Sequence, residues 1–345
     1  MTGLLEVREY LKKFYGKYEI YLKPSAKFLV ALVSLIAINA SMGYMNVLGN
    51  VALVLVMALM CSFMPKNFVV IVSALWILLH TYALAMECAV VMLAVFAIMF
   101  LMYFRFVPKD TMVVLLTPLL FILKIPYAMP VAMGLLGGPM SAVSVSCGVV
   151  VYYLMKLMSD NVTTFSATDA ETGSRKFKLM LDGILDNKAM IITIIVFILV
   201  LLIVYGIRRL SVDNAWMMAI ISGISVCAVL LLVCEFMMEL QFSVVAIVLG
   251  SIVSLLVCLG IQFLEFNVDY SRTEYVQFED DEYYYYVKAV PKNVLATPEK
   301  KVKRINKQHK KVPVKHEKRV STIKTSHGVS RTTVRTEEIK KNRTK

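Results

Sequence analysis

Between Phe28 and Leu264 the chain passes through eight apolar stretches, at 28–44, 47–64, 68–86, 88–106, 139–158, 189–207, 215–239 and 242–264. Each approaches the roughly 20 helical residues that a bilayer's hydrocarbon core demands. Lipid offers no partner for a backbone N–H or C=O, so a lone segment crossing it must satisfy its polar groups internally, as a helix. This pattern leaves little choice of class: an all-α, polytopic transmembrane helix bundle. Gly43 and Asn46 interrupt the first run, Pro65 and Lys66 the second, and Met86-Glu87 offers the only turn in the third. The first four spans therefore read as two tight hairpins.

One further apolar segment, 112–138, breaks the pattern with Pro118, Pro126 and Pro130 and a charge at Lys124. Proline inside a helix removes a hydrogen bond and clashes with the preceding turn. The pieces 112–123 and 127–137 are each too short to span, so the segment is either one kinked crossing or a re-entrant pair of half-helices. Charge asymmetry bears on the choice, because Lys and Arg near span ends favour the cytoplasm. Residues 1–27 carry six such cations, and Lys66, Arg105 and Lys109 then share their side. A single crossing would send Arg208-Arg209 and the basic C-terminus to the opposite side; a re-entrant element returns them. Loop 159–188, with four Lys/Arg against five acids, is then the exported one. The expectation is eight crossings plus a re-entrant element, with both termini cytoplasmic and the first span acting as an uncleaved anchor.

The flanks differ from this domain. In residues 1–27, Leu4, Val7, Leu11 and Phe14 recur at helical spacing with Lys12, Lys13 and Lys17 off the stripe, which fits an interfacial amphipathic helix or a surface helix packed on the domain. Phe177, Met180, Leu181, Ile184 and Leu185 form a second such face in loop 159–188. After the transmembrane domain, 28–265, the segment 266–296 alternates: Glu274–Phe278 and Tyr283–Val290 flank the polar turn Glu279-Asp-Asp-Glu282. Aromatic, β-branched runs about a short turn predict a β-hairpin, which is marginal alone and is expected to dock on the membrane domain or on a partner.

Residues 297–345 hold 17 Lys/Arg against 4 acids, the whole net charge of +13. Such a stretch, with little apolar content, is expected to be a disordered tail. Its clusters Lys300, Lys301, Lys303, Arg304, Lys310 and Lys311 would attract anionic lipid or an acidic cytoplasmic protein. Nucleic acid is the weaker expectation, since no aromatic residue interleaves the cations.

Chemistry is sparse. Six cysteines lie inside apolar runs without CxxC spacing, and no catalytic motif, phosphate-binding loop or metal-ligand pattern occurs. No cofactor and no enzymatic activity are therefore expected. Ionisable groups within membrane segments are costly and often functional. The candidates are His80 with Glu87, Lys124, and Glu235 with Glu239. Glu87 also reads as an interfacial turn residue, His80 as a contact between helices, and the two glutamates, spaced i, i+4, as a span end. Lys124 either lines a polar pathway built from half-helix ends, as in secondary transporters, or extends to the surface. Gly134 and Gly138 form a GxxxG pair, read as close helix packing or as exposed amides at a site.

The stretch Phe278–Lys292, placed after a final span, resembles uncharacterised polytopic membrane proteins of Gram-positive bacteria, some labelled transporter permeases. The resemblance implies a bacterial plasma membrane and transfers no site. Two functions follow as expectations: a permease-like transport subunit, resting on Lys124 and its broken segment, or a membrane scaffold presenting hairpin and tail to cytoplasmic partners.

Overall fold

The computed structural model describes residues 2–166, 172–210, 212–238, 243–265 and 274–289. Glu239 and the tail with its six named cations lie outside these. The elements run α1 (Thr2–Met42), α2 (Val51–Phe63), α3 (Lys66–Leu84), α4 (Met86–Phe106), α5 (Thr111–Ile122), α6 (Ala128–Leu136) and α7 (Ser141–Asp160). They continue with α8 (Val162–Ser166), α9 (Thr172–Leu185), α10 (Lys188–Arg208), α11 (Ala215–Met238), α12 (Val244–Glu265), β1 (Glu274–Glu279) and β2 (Tyr284–Ala289). The chain is a helical, multi-pass membrane protein in composition and build: seven helices among the described residues are long and apolar enough to cross a bilayer.

That number is one fewer than the apolar runs suggest, and α2 is the reason. Its 13 residues rise about 20 Å, well short of a 30 Å hydrocarbon core. The run from 47 loses its first turn because residues 47–49 form a turn and the Asn50 side chain caps the helix, accepting from Ala52 N at 3.0 Å. The N-terminal segment differs in a second way. The amphipathic stretch and the first span form one helix, α1, interrupted by non-helical torsions at Tyr18 (φ −112°, ψ 20°) and carrying Pro24. Val7, Leu11 and Phe14 are exposed, so none of the described residues covers them.

Hydrogen bonds fix which helix ends lie together. Arg8 Nε donates to Leu264 O at 3.3 Å, joining the N-terminal arm to the end of α12. Lys27 Nζ donates to Met64 O and Ser62 Oγ to Pro24 O, adding the α2–α3 turn to this proximal end. Thr111 Oγ1 donates to Asn67 Oδ1 at 2.6 Å, adding the start of α5. At the opposite, distal end, Asn39 Nδ2 donates to Leu48 O and Met45 N to His80 Nδ1. Following the chain between these points returns both the N-terminal arm and the end of α12 to the proximal end.

The segment 110–141 decides that parity. Ser141 Oγ donates to Asp110 Oδ2 at 2.5 Å, so the segment leaves and re-enters at one end. Helices α5 and α6 thus form a hairpin whose two ends lie together at the proximal end. Helices α1, α3, α7 and α10–α12 pack against it, leaving the tip exposed at Leu123. One core cluster joins α1–α4 with parts of α5, α7 and α9, and a second joins α5–α7 with α10–α12. Close approach makes this possible. A Cβ on Gly250 of α12 would lie 2.7 Å from Lys124 O at the hairpin tip. A Cβ on Gly134 of α6 would lie 2.7 Å from Val204 Cβ of α10, so Gly134 is a packing residue; Gly138 has open space around it and is not.

The hairpin after α12 is an antiparallel pair with Phe278 opposite Tyr285 and Val276 opposite Val287. Its polar turn closes through Asp280 N donating to Tyr283 O. Each of its described side chains is exposed, so none is buried against the membrane domain.

Candidate functional site

The tip of the α5–α6 hairpin carries the principal site. Helix α5 ends in a Schellman turn: Lys124 N donates to Phe121 O at 3.1 Å and Ile125 N to Leu120 O at 2.9 Å. The residue at the left-handed position of this motif is usually glycine. Here it is Lys124, with φ 63°. A side chain there costs about 1–2 kcal/mol through the clash of Cβ with the backbone. Pro126 then prevents any continuation of α5, and α6 starts back towards the proximal end.

Beyond the tip lies a cavity of about 260 Å³. Lys124 and Tyr127 line it from the hairpin, Tyr152, Tyr153 and Lys156 from α7, and Thr193 and Phe197 from α10. Leu231 of α11 and Ser243, Ala246 and Ile247 of the α12 start complete the lining. Two lysines thus share one cavity, and none of its described lining residues is acidic. The aromatic wall is rigid: Phe121 stacks on Tyr152 with centroids 4.3 Å apart, and also packs on Tyr153 and Phe197. Tyr153 OH and Thr193 Oγ1 are 3.0 Å apart, and Thr193 Oγ1 donates to Ala189 O at 2.7 Å. Tyr153 is therefore the donor to Thr193, and its hydroxyl is committed. Tyr127 is buried and its hydroxyl has no partner among the described residues.

The other candidates separate. His80 is fully buried, and both its ring nitrogens are engaged. Met45 N–H donates to Nδ1 at 3.3 Å, so Nε2 carries the proton and donates to Asn39 Oδ1 at 2.8 Å. Trp76 Nε1 donates to the same Asn39 oxygen at 2.8 Å. This closed network ties α1 to α3 and to the turn after α1; His80 is the inter-helix contact, and it does not meet Glu87. Glu87 lies half-buried in the first turn of α4, where the helix dipole favours a carboxylate, close to Gly173 of α9. Glu235 is half-buried near the end of α11, and its intended companion Glu239 falls outside the described residues.

Several residues of these networks have no sequence signal singling them out. Lys156 reads as a span-end charge in a run of tyrosines and leucines, and Asn39 as one polar residue in an apolar stretch. Asp110 precedes a proline-broken segment, the one cue to its place at the hairpin mouth. Compared with protein-family models, curated proteins and solved structures, the chain matches none of them.

Proposed function

We propose that this protein is a permease-like transport subunit of the plasma membrane whose re-entrant hairpin presents a site for an anion. The observation that carries the proposal is Lys124: a cation held in left-handed backbone at a hairpin tip, lining together with a second cation, Lys156, a cavity that shows no acid among its described lining residues. Backbone strain of this kind persists at functional positions where the surroundings impose it. Charge distribution supports an orientation. Lys12, Lys13, Lys17, Lys66, Lys109, Arg208 and Arg209 belong to the proximal end, which is assigned to the cytoplasm together with both termini.

The test of function is anion flux into proteoliposomes containing the intact protein. Lys124→Leu abolishes flux at normal abundance; undiminished flux in that variant removes the basis of the transport reading. Orientation is checked by single cysteines at Ser166 and Ser321 with a membrane-impermeant thiol reagent in intact cells. Ser166 labels and Ser321 does not; a labelled Ser321 refutes the assignment.

A second reading, the scaffold, draws on the hairpin. Val276, Phe278, Tyr285 and Val287 share one face by the strand register and are all exposed. A two-stranded sheet with an uncovered apolar face is suited to a cytoplasmic partner, alongside a tail suited to anionic lipid or an acidic protein.

A further inference from the structure

The cavity at the hairpin tip has a donor set, a depth and a rim that together define its ligand more narrowly. Among the described residues the groups left free to act are donors: the ammonium groups of Lys124 and Lys156 and the hydroxyl of Tyr127, a residue only 9% exposed. Two cations and a hydroxyl in one small site suit a phosphate group, whose negative charge is spread over two or three unesterified oxygens. The depth is that of a headgroup. Lys156 stands four residues before the end of α7 at Asp160, about 6 Å inside it at the helical rise. Charged heads meet acyl chains at comparable depth.

The rim is apolar and exposed. Leu123, beside Lys124, is 55% exposed, and Val245 and Leu249, flanking Ala246 on α12, are 66% and 58% exposed. A hairpin tip enclosed on every side would bury its leucine; this one reaches the perimeter of the bundle. On the opposite face of the α5–α7 pair lies a second cavity, apolar and about 60 Å³ in volume, lined among others by Ile38, Ile77, Leu119, Ile122 and Met155. It comes to Ile122, two residues before Lys124.

From these observations we infer that the site takes the phosphate of an anionic phospholipid, or of a like phosphate-bearing amphiphile, entering sideways from the distal leaflet. Lys124, Lys156 and Tyr127 hold the phosphate, and the apolar chain leaves over Leu123. This inference rests on the anion site proposed above and names its ligand.

The intact protein is purified in nanodiscs of zwitterionic phosphatidylcholine containing a minor fraction of anionic phosphatidylglycerol, and retained lipid is counted by native mass spectrometry. Retained phosphatidylglycerol falls about tenfold or more in the Lys124→Gln/Lys156→Gln double variant, two charge-assisted contacts being lost. Phosphatidylcholine is unchanged. Because glutamine suits left-handed backbone no better than lysine, folding is held constant, and Lys124→Gly/Lys156→Gln repeats the test without backbone strain. Inorganic phosphate is the second probe, followed by thermal shift in phosphatidylcholine nanodiscs. Lysine-dependent binding of inorganic phosphate that displaces phosphatidylglycerol makes the ligand a soluble anion and overturns the lipid assignment, while the anion site stands. Retention of phosphatidylglycerol unaltered by charge removal, with no phosphate shift, overturns both.

Discussion

Replacing Lys124 by glycine separates what its backbone costs from what its side chain does. With φ at 63°, the lysine Cβ opposes the backbone by about 1–2 kcal/mol, a cost glycine does not carry. Glycine loses more freedom on folding, which returns roughly 0.5–1 kcal/mol. The net expectation is a protein more stable by about 0.5–1 kcal/mol, since Lys124 is exposed and its ammonium group has no hydrogen bond among the described residues. In thermal denaturation of the purified protein in detergent, at one scan rate, this corresponds to an upward shift of about 1–3 °C. Flux through the same preparation is lost. Lys124→Leu loses flux as well, but its branched side chain keeps the backbone cost and it gains no stability. A Lys124→Gly protein that unfolds earlier than wild type would show that the lysine side chain supports the tip, and the strain argument would fail. One that is more stable and retains full flux would show that the charge serves no pathway.

Three further outcomes follow. Gly148→Ala drives a Cβ into Thr117 and costs about 1–3 kcal/mol, whereas Gly138→Ala, with open space around it, is neutral; thermal unfolding of the pair measures the difference. Asn39→Leu strands the N–H groups of Trp76 and His80 in the bundle and destabilises on the order of 2–4 kcal/mol, read from the same assay, while Glu87→Gln shifts it little. A peptide of residues 297–345 binds phosphatidylglycerol vesicles at low salt and leaves them as the screening length shortens from about 10 Å at 0.1 M to 3 Å at 1 M, which co-sedimentation reports. Stronger binding of that peptide to duplex DNA at physiological salt would reverse the order of expected partners.

Much of this architecture is local and hence legible in the sequence. Apolar run length requires membrane helices because lipid leaves backbone groups no other partner. Pro118 and Pro126 show that 112–138 cannot be a regular span, and the alternation around Glu279–Glu282 specifies the strand pairing. That the broken segment folds back on itself is visible only in space, where Asp110 meets Ser141 from 31 residues away. The same holds for α2, shortened by the Asn50 cap, and for Gly134, which packs against Val204 while Gly138 packs against nothing. The site shows the division most clearly. Lys124 stands out in the sequence as a charge at a helix break, but Lys156, Tyr127 and Thr193 do not. Helices that are apolar around their whole circumference carry no period to say which face turns inward. Their partners are set by shape, by where small residues admit a close neighbour, and that information exists only once the helices are packed.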